Sequence, residues 1–141
     1  MKSYEVILFD LDGTITDSSE GITNSVKYML KQYGIEENDM DKLCQFIGPP
    51  LVEPLQEMYG FSEDEAIKAV AQYRVYYKDK GIFENKVYEG FEDVLKVLKK
   101  KGKKVLVATS KPELFARRIL HNILIMWQGQ GWMNVMVPRL Q

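Results

Sequence analysis

Residues 6–21 read VILFDLDGTITDSSEG. Val6 to Phe9 is an unbroken apolar run. A run of that length, stopped by turn residues, suits a strand buried on both faces, as in a parallel sheet. It ends in Asp10 and Asp12, and Gly13 and Thr14 follow. Two carboxylates so close at a strand end repel each other, so their placement asks for a cation. Ligands of open parallel sheets bind beyond the carboxyl ends of the strands, where both aspartates lie. A hard divalent ion with oxygen ligands suits such a pair, and Mg²⁺ is the usual companion of phosphate. Gly13 lets the turn tighten and lets backbone N–H groups face an anion. Alone, the D-x-D spacing is an ordinary turn, and Asp12-Gly13 is a turn dipeptide.

Downstream the pattern becomes helical. Ile22, Val26, Met29, Leu30 and Tyr33 recur at helical spacing, with Gly34 as a stop. Met40, Leu43 and Phe46 mark a short second helix, ended by the turn of Ile47–Leu51. Leu51, Leu55 and Met58 mark a third, stopped by Gly60. Ser62 and Glu65 have capping-box spacing. The helix they open carries Ile67, Val70, Tyr73 and Tyr77 on one stripe and stops before Gly81. Phe91, Val94, Leu95 and Leu98 then give a helix closed by Lys99–Lys101 and Gly102, with cations where the helix dipole favours them. Val105–Ala108 is a second apolar strand, running into Thr109, Ser110, Lys111 and Pro112. Ser110 and Glu113 repeat the capping-box spacing, and the last helix is expected to run to about Leu120. This order predicts an α/β core, residues 1–16 and 83–141, with an all-α cap, residues 17–82, inserted after the first strand.

Composition narrows the function. The chain has 141 residues, 45% hydrophobic and 28% charged, which is a globular composition. The net charge of −1 leaves no electrostatic footprint for nucleic acid or an anionic membrane. Cys44 is the single cysteine, which fits a reducing compartment. The N-terminus lacks the apolar core of a signal peptide, and no apolar run approaches the ~20 residues that span a bilayer. The expected address is the cytoplasm, and the expected partner a small molecule.

The second loop gives the first its meaning. A hydroxyl at a strand end followed by a helix N-terminus makes a phosphate site. Thr109–Ser110 alone would be a plain helix cap. Joined to an apolar strand ending in D-x-D-G-T, it describes two carboxylates, a metal and an anion cradle: phosphoryl transfer through an aspartyl-phosphate.

FDLDGTITDS, residues 9–18, resembles the first motif of the haloacid dehalogenase-like hydrolases, and VLVATSKP, residues 105–112, resembles their second. The helical insert resembles their four-helix cap on a Rossmann-like sheet, here incomplete. GTITDSSEGI (13–22), FIGPPL (46–51) and YRVYYKDKG (73–81) are similar to the phosphoglycolate phosphatase-like and 5'-nucleotidase-like branch. The resemblance covers residues 4 to about 120. It implies that Asp10 is the nucleophile and Asp12 the general acid and then base. It implies Mg²⁺ on the Asp10 carboxylate and the Asp12 backbone carbonyl, and phosphoryl oxygens held by Thr109. Gly13, Thr14 and Ser110 would line the phosphate. Lys111 either approaches phosphate or lies at the surface. Gly48 and Pro49, with Pro50, form either a loop facing the active site or a helix-breaking turn. Arg74 either meets substrate or is paired on its helix. The implied substrate is a small phosphomonoester, phosphoglycolate-like or nucleotide-like.

The family's two later motifs, a lysine and an acidic pair, belong after the second. Residues 121–141 contain no lysine, Asp or Glu, but hold both tryptophans and the only histidine. The expectation is that the chain departs from the family near His121, by truncation or frameshift, and has little or no phosphatase activity as written. An ordinary apolar C-terminal strand and loop is the other reading. Competing functions are a phosphomutase of the same family, a phosphorylatable receiver-type module, and a catalytically impaired fragment.

Overall fold

The structure is a computed structural model that describes residues 3–109 and 111–126. In chain order its elements are β1 (Val6–Phe9), β2 (Thr16–Asp17), α1 (Ser19–Lys31), α2 (Met40–Cys44), α3 (Val52–Tyr59), α4 (Glu63–Asp79), a 3-10 turn (Gly81–Phe83), β3 (Lys86–Val87), α5 (Phe91–Lys100), β4 (Lys104–Val107) and α6 (Glu113–Met126). They form two compact units, Met1–Asp17 with Lys86–Gln141, and Ser18–Asn85.

In the first unit β1 and β4 pair in parallel, Val6 opposite Lys104 and Phe9 opposite Val107. Helix α5 buries Phe91 and Leu95, and the Phe91 ring meets Phe9 edge-on at 5.1 Å. Val105 and Val107 are buried in β4. The short antiparallel pair of β2 and β3 sets Thr16 opposite Val87 and Asp17 opposite Lys86. One expectation fails here. Val6 and Leu8 are 44% and 61% exposed, so β1 is covered on one face and not on both. Side chains alternate across a strand, and among the described residues the cover falls only on the face of Phe9.

Helix α6 runs past the expected end near Leu120 to Met126. Ala116, Ile119, Leu120 and Ile123 are buried at helical spacing, so the periodicity passes through His121 without a break. The helix thus continues a few residues past the point, near His121, at which the chain is expected to depart from the family. The reading of a foreign tail otherwise concerns residues 127–141, which lie outside the described residues.

The second unit is helical, with α1 and α4 as its longest members. The predicted capping box is present: Ser62 N–H donates to Glu65 Oε2 at 2.9 Å, and Glu65 N–H donates to Ser62 Oγ at 3.2 Å. The buried stripe of α4 is Ala66, Ala69, Tyr73 and Tyr77, while Ile67 is exposed and Val70 only partly covered. Tyr73 and Tyr77 lie on the buried stripe as expected, while the small Ala66 and Ala69, which let α4 approach its neighbours, take the places expected of Ile67 and Val70. The exit from this unit lies at Asn85, beyond the expected 82. Glu84 explains the difference. Its backbone carbonyl accepts from Gly21 N–H at 3.2 Å, and its carboxylate accepts from Tyr76 Oη–H at 2.7 Å and from the Asn24 amide. These bonds tie the segment after the 3-10 turn to α1 and α4.

Candidate active site

The parallel register decides what the strand ends share. Ala108 N–H donates to Phe9 carbonyl at 2.8 Å, carrying the ladder one step past β4. Asp10 and Thr109 are the next residues of their chains, so the two motif loops leave the sheet side by side.

The first loop is wound around one carbonyl. Leu11 C=O accepts from the N–H groups of Thr14, Ile15 and Thr16 at 3.3, 3.0 and 3.0 Å. Leu11 and Ile15 are fully buried, and these two apolar residues anchor an otherwise polar turn. Gly13 has φ 77°, a conformation that disfavours side chains with a Cβ. Its N–H donates to Thr16 carbonyl at 2.7 Å. The Gly13 amide is thus engaged in closing the turn. Thr14 is exposed, and its amide is also spent inside the loop.

Asp10 stands exposed at the strand end, its Oδ1 accepting from Leu11 N–H at 2.7 Å. Asp12 is more enclosed. Its Oδ2 lies 3.2 Å from Lys111 Nζ, and its Oδ1 is buried without a hydrogen-bond partner. From the second loop comes Thr109, buried, with its Oγ1 accepting from Lys111 N–H at 3.1 Å. Ser110 lies outside the described residues. Asp10, Asp12, Gly13, Thr14, Thr109 and Lys111 thus converge at one end of the first unit. Gly48 and Pro49 are exposed in the turn between α2 and α3, and Arg74 is exposed on α4; all three belong to the second unit.

The Lys111–Asp12 pair is what sequence reading left open. The signal was present: Lys111 lies two residues after Thr109, at the start of a helix. In the fold Lys111 N–H donates to Thr109 Oγ1, and its Nζ reaches Asp12 of the first loop.

Among the described residues no group of three acidic, histidine or cysteine side chains could hold a metal. Mg²⁺ does not require one, because it keeps several waters and is often bound by one or two carboxylates plus substrate phosphate. Asp10 and Asp12 meet that minimum. The orphaned Asp12 Oδ1 is a buried acceptor waiting for a cation or a proton donor, since a carboxylate oxygen left unpaired is costly. The donor set fits a hard cation with phosphate as its further ligand.

No helix among the described residues is long and apolar enough to cross a membrane. Comparison with known proteins agrees with the geometry. A family model described as haloacid dehalogenase-like hydrolase matches residues 7–127. A 5'-nucleotidase of Pseudomonas aeruginosa is 48% identical over 116 residues, 82% of this chain and 52% of that protein. The tyrosine-protein kinase PtkA of Mycobacterium tuberculosis is 39% identical over 122 residues, 86% of this chain and 41% of that one. A solved Clostridium difficile protein, provisionally described as a phosphatase, superposes with a TM-score of 0.86 at 48% identity, over 97% of this chain and 62% of its own. The chain spans about half the length of the curated relatives it matches. With both motif loops joined at the ends of a parallel strand pair, and a family match running through both, this chain belongs to the haloacid dehalogenase-like hydrolases.

Proposed function

We propose that the chain carries the phosphoryl-transfer half-site of a Mg²⁺-dependent phosphomonoesterase, with Asp10 as nucleophile and Asp12 as acid and base. The observation that carries this reading is the convergence of Asp10, Asp12 and the buried Thr109 at one sheet end. Asp10 is exposed at the strand end, where a carboxylate oxygen can reach a substrate's phosphorus. Thr109 offers a hydroxyl to a phosphoryl oxygen. Asp12 exchanges a proton with the leaving oxygen and then with water. Asp10 and Asp12 would hold Mg²⁺, whose charge would offset that of the phosphoryl group. The substrate is a small phosphorylated metabolite, phosphoglycolate-like or nucleotide-like, and the setting cytoplasmic. The relatives named 5'-nucleotidase and phosphoglycolate phosphatase favour a phosphatase over a phosphomutase.

Turnover is expected to be slow, because only two of the described carboxylates lie where they could hold the metal. The test is Mg²⁺-dependent hydrolysis of p-nitrophenyl phosphate by the wild-type chain and by Asp10→Asn. Turnover lost in the variant supports the reading. Turnover that survives Asp10→Asn overturns it, and a stable phospho-aspartate without turnover favours a phosphorylatable module.

A further inference from the structure

We infer that the outer face of α4 is a docking surface for a second copy of this chain, the two helices packing antiparallel about a two-fold axis at Ala71. Three observations carry it. The first is a second apolar stripe. Helix α4 packs on α1, α3 and the 3-10 turn, and it buries Ala66, Ala69, Tyr73 and Tyr77. Ile67, Ala71 and Val75 recur every four residues on another face, and all three are exposed, Ile67 by 55% and Val75 by 45%. Residues four apart form a ridge along a helix, so these side chains make one continuous patch. Single exposed apolar residues are ordinary, whereas a contiguous apolar strip marks an interaction surface.

The second observation is charge. Asp64 opens the same stripe and Lys78 closes it, and both are exposed. A stripe that is acidic at one end and basic at the other is complementary to itself when reversed, which is what a two-fold interface requires. A uniformly acidic or basic partner would match one end and be repelled by the other. The third observation is spacing. At 1.5 Å per residue, Asp64 and Lys78 each lie about 10 Å from Ala71, and Ile67 and Val75 each about 6 Å. With Ala71 at the axis, Asp64 of one copy comes level with Lys78 of the other, and Ile67 with Val75. Lys68 and Arg74 also come level. They stand about 120° apart around the helix, so these like charges fall on opposite flanks of the seam. The small side chain of Ala71 lets the two helices approach where they cross. One helix face of about 25 Å makes a small interface, so the dimer is weak and sensitive to salt. No group of the active site takes part.

The test is sedimentation velocity of the full chain at low ionic strength, up to about 1 mM protein. Far-UV circular dichroism checks that each variant is folded. Wild type should self-associate, and less so in high salt. Asp64→Lys and Lys78→Glu each set like charges against each other twice per dimer, and each should weaken association at least fivefold. Mixed in equal amounts, the two variants should associate as wild type does, because each like-charged pair then becomes an opposite one. Val75→Glu should also weaken association. Glu53→Lys makes the same charge change in the first turn of α3, off the stripe, and should leave association unchanged. A wild type that stays monomeric throughout overturns the inference. So does a dimer that the folded charge variants leave intact, or a mixture that fails to recover association. Should either charge variant not fold, Val75→Glu decides: weaker association upholds the α4 interface, and full association of the folded variant overturns it.

Discussion

Replacing Gly21 with alanine should destabilise the helical unit, against the usual trend for such a change. A glycine-to-alanine substitution inside a helix ordinarily stabilises by about 1 kcal/mol. Here a Cβ at position 21 would stand 2.0 Å from the Gly81 carbonyl oxygen, 3.0 Å from its carbon and 3.3 Å from the Glu84 oxygen. All three are backbone atoms, so no side chain can rotate away. The 3-10 turn would have to retreat from α1, and Gly21 N–H would lose the Glu84 carbonyl now 3.2 Å away. Overpacking of this kind costs about 1–3 kcal/mol, and the hydrogen bond about 1 kcal/mol. Set against the propensity gain, the net loss is roughly 1–3 kcal/mol. With a slope of about 1–3 kcal/mol per molar urea, the midpoint should fall by roughly 1 M. Urea unfolding followed at 222 nm reads this directly. A midpoint equal to or above that of wild type would refute the close approach of α1 to the turn. Gly81→Ala should behave alike, since its Cβ would meet Ser25 Oγ at 2.5 Å and the Gly21 carbonyl at 2.9 Å.

Ser62→Ala removes one arm of the capping box on α4 and should cost about 1 kcal/mol, read as a lower thermal midpoint, whereas Ser62→Asp should keep most of the stability. In alkali the helical unit should weaken. Burial and the hydrogen bond to Glu37 push the Tyr59 hydroxyl up, and the hydrogen bond to Glu84 does the same for Tyr76. Both have folded values above the unfolded one, so their stabilisation is full below about pH 10 and is lost as pH rises above it. Urea midpoints at pH 9 and 11 should differ less for Tyr59→Phe with Tyr76→Phe than for wild type; an unchanged difference counts against the pairing.

The sequence made most of the elements legible because local chemistry writes them. Val6–Phe9 and Val105–Ala108 are apolar runs closed by turn residues, and Ser62 with Glu65 is a cap that works through bonds three residues apart. Asp10, Asp12 and Thr109 stood out because their chemistry is concentrated in short loops. What escaped was whatever depends on distance between backbones. Ala66 and Ala69, not Ile67, line the buried face of α4 because small side chains fit a close helix crossing. The end of α6 at Met126 was missed because an unusual composition after Leu120 concealed a period that continues through Ile123.

By itself, the sequence determined that an acidic pair closes the first strand and a hydroxyl the second, because side-chain type and local periodicity are properties of the chain. Only tertiary structure decided that they form one site. The in-register pairing of β1 with β4 sets Phe9 beside Val107 and so brings loops nearly a hundred residues apart in sequence to one edge. It also decided which groups are available there. The Gly13 amide is consumed by the turn, while Lys111, reached only through the fold of the second loop, is placed against Asp12. A carboxylate's charge is written in one letter, but the counter-charge that answers it is set by how two strands align.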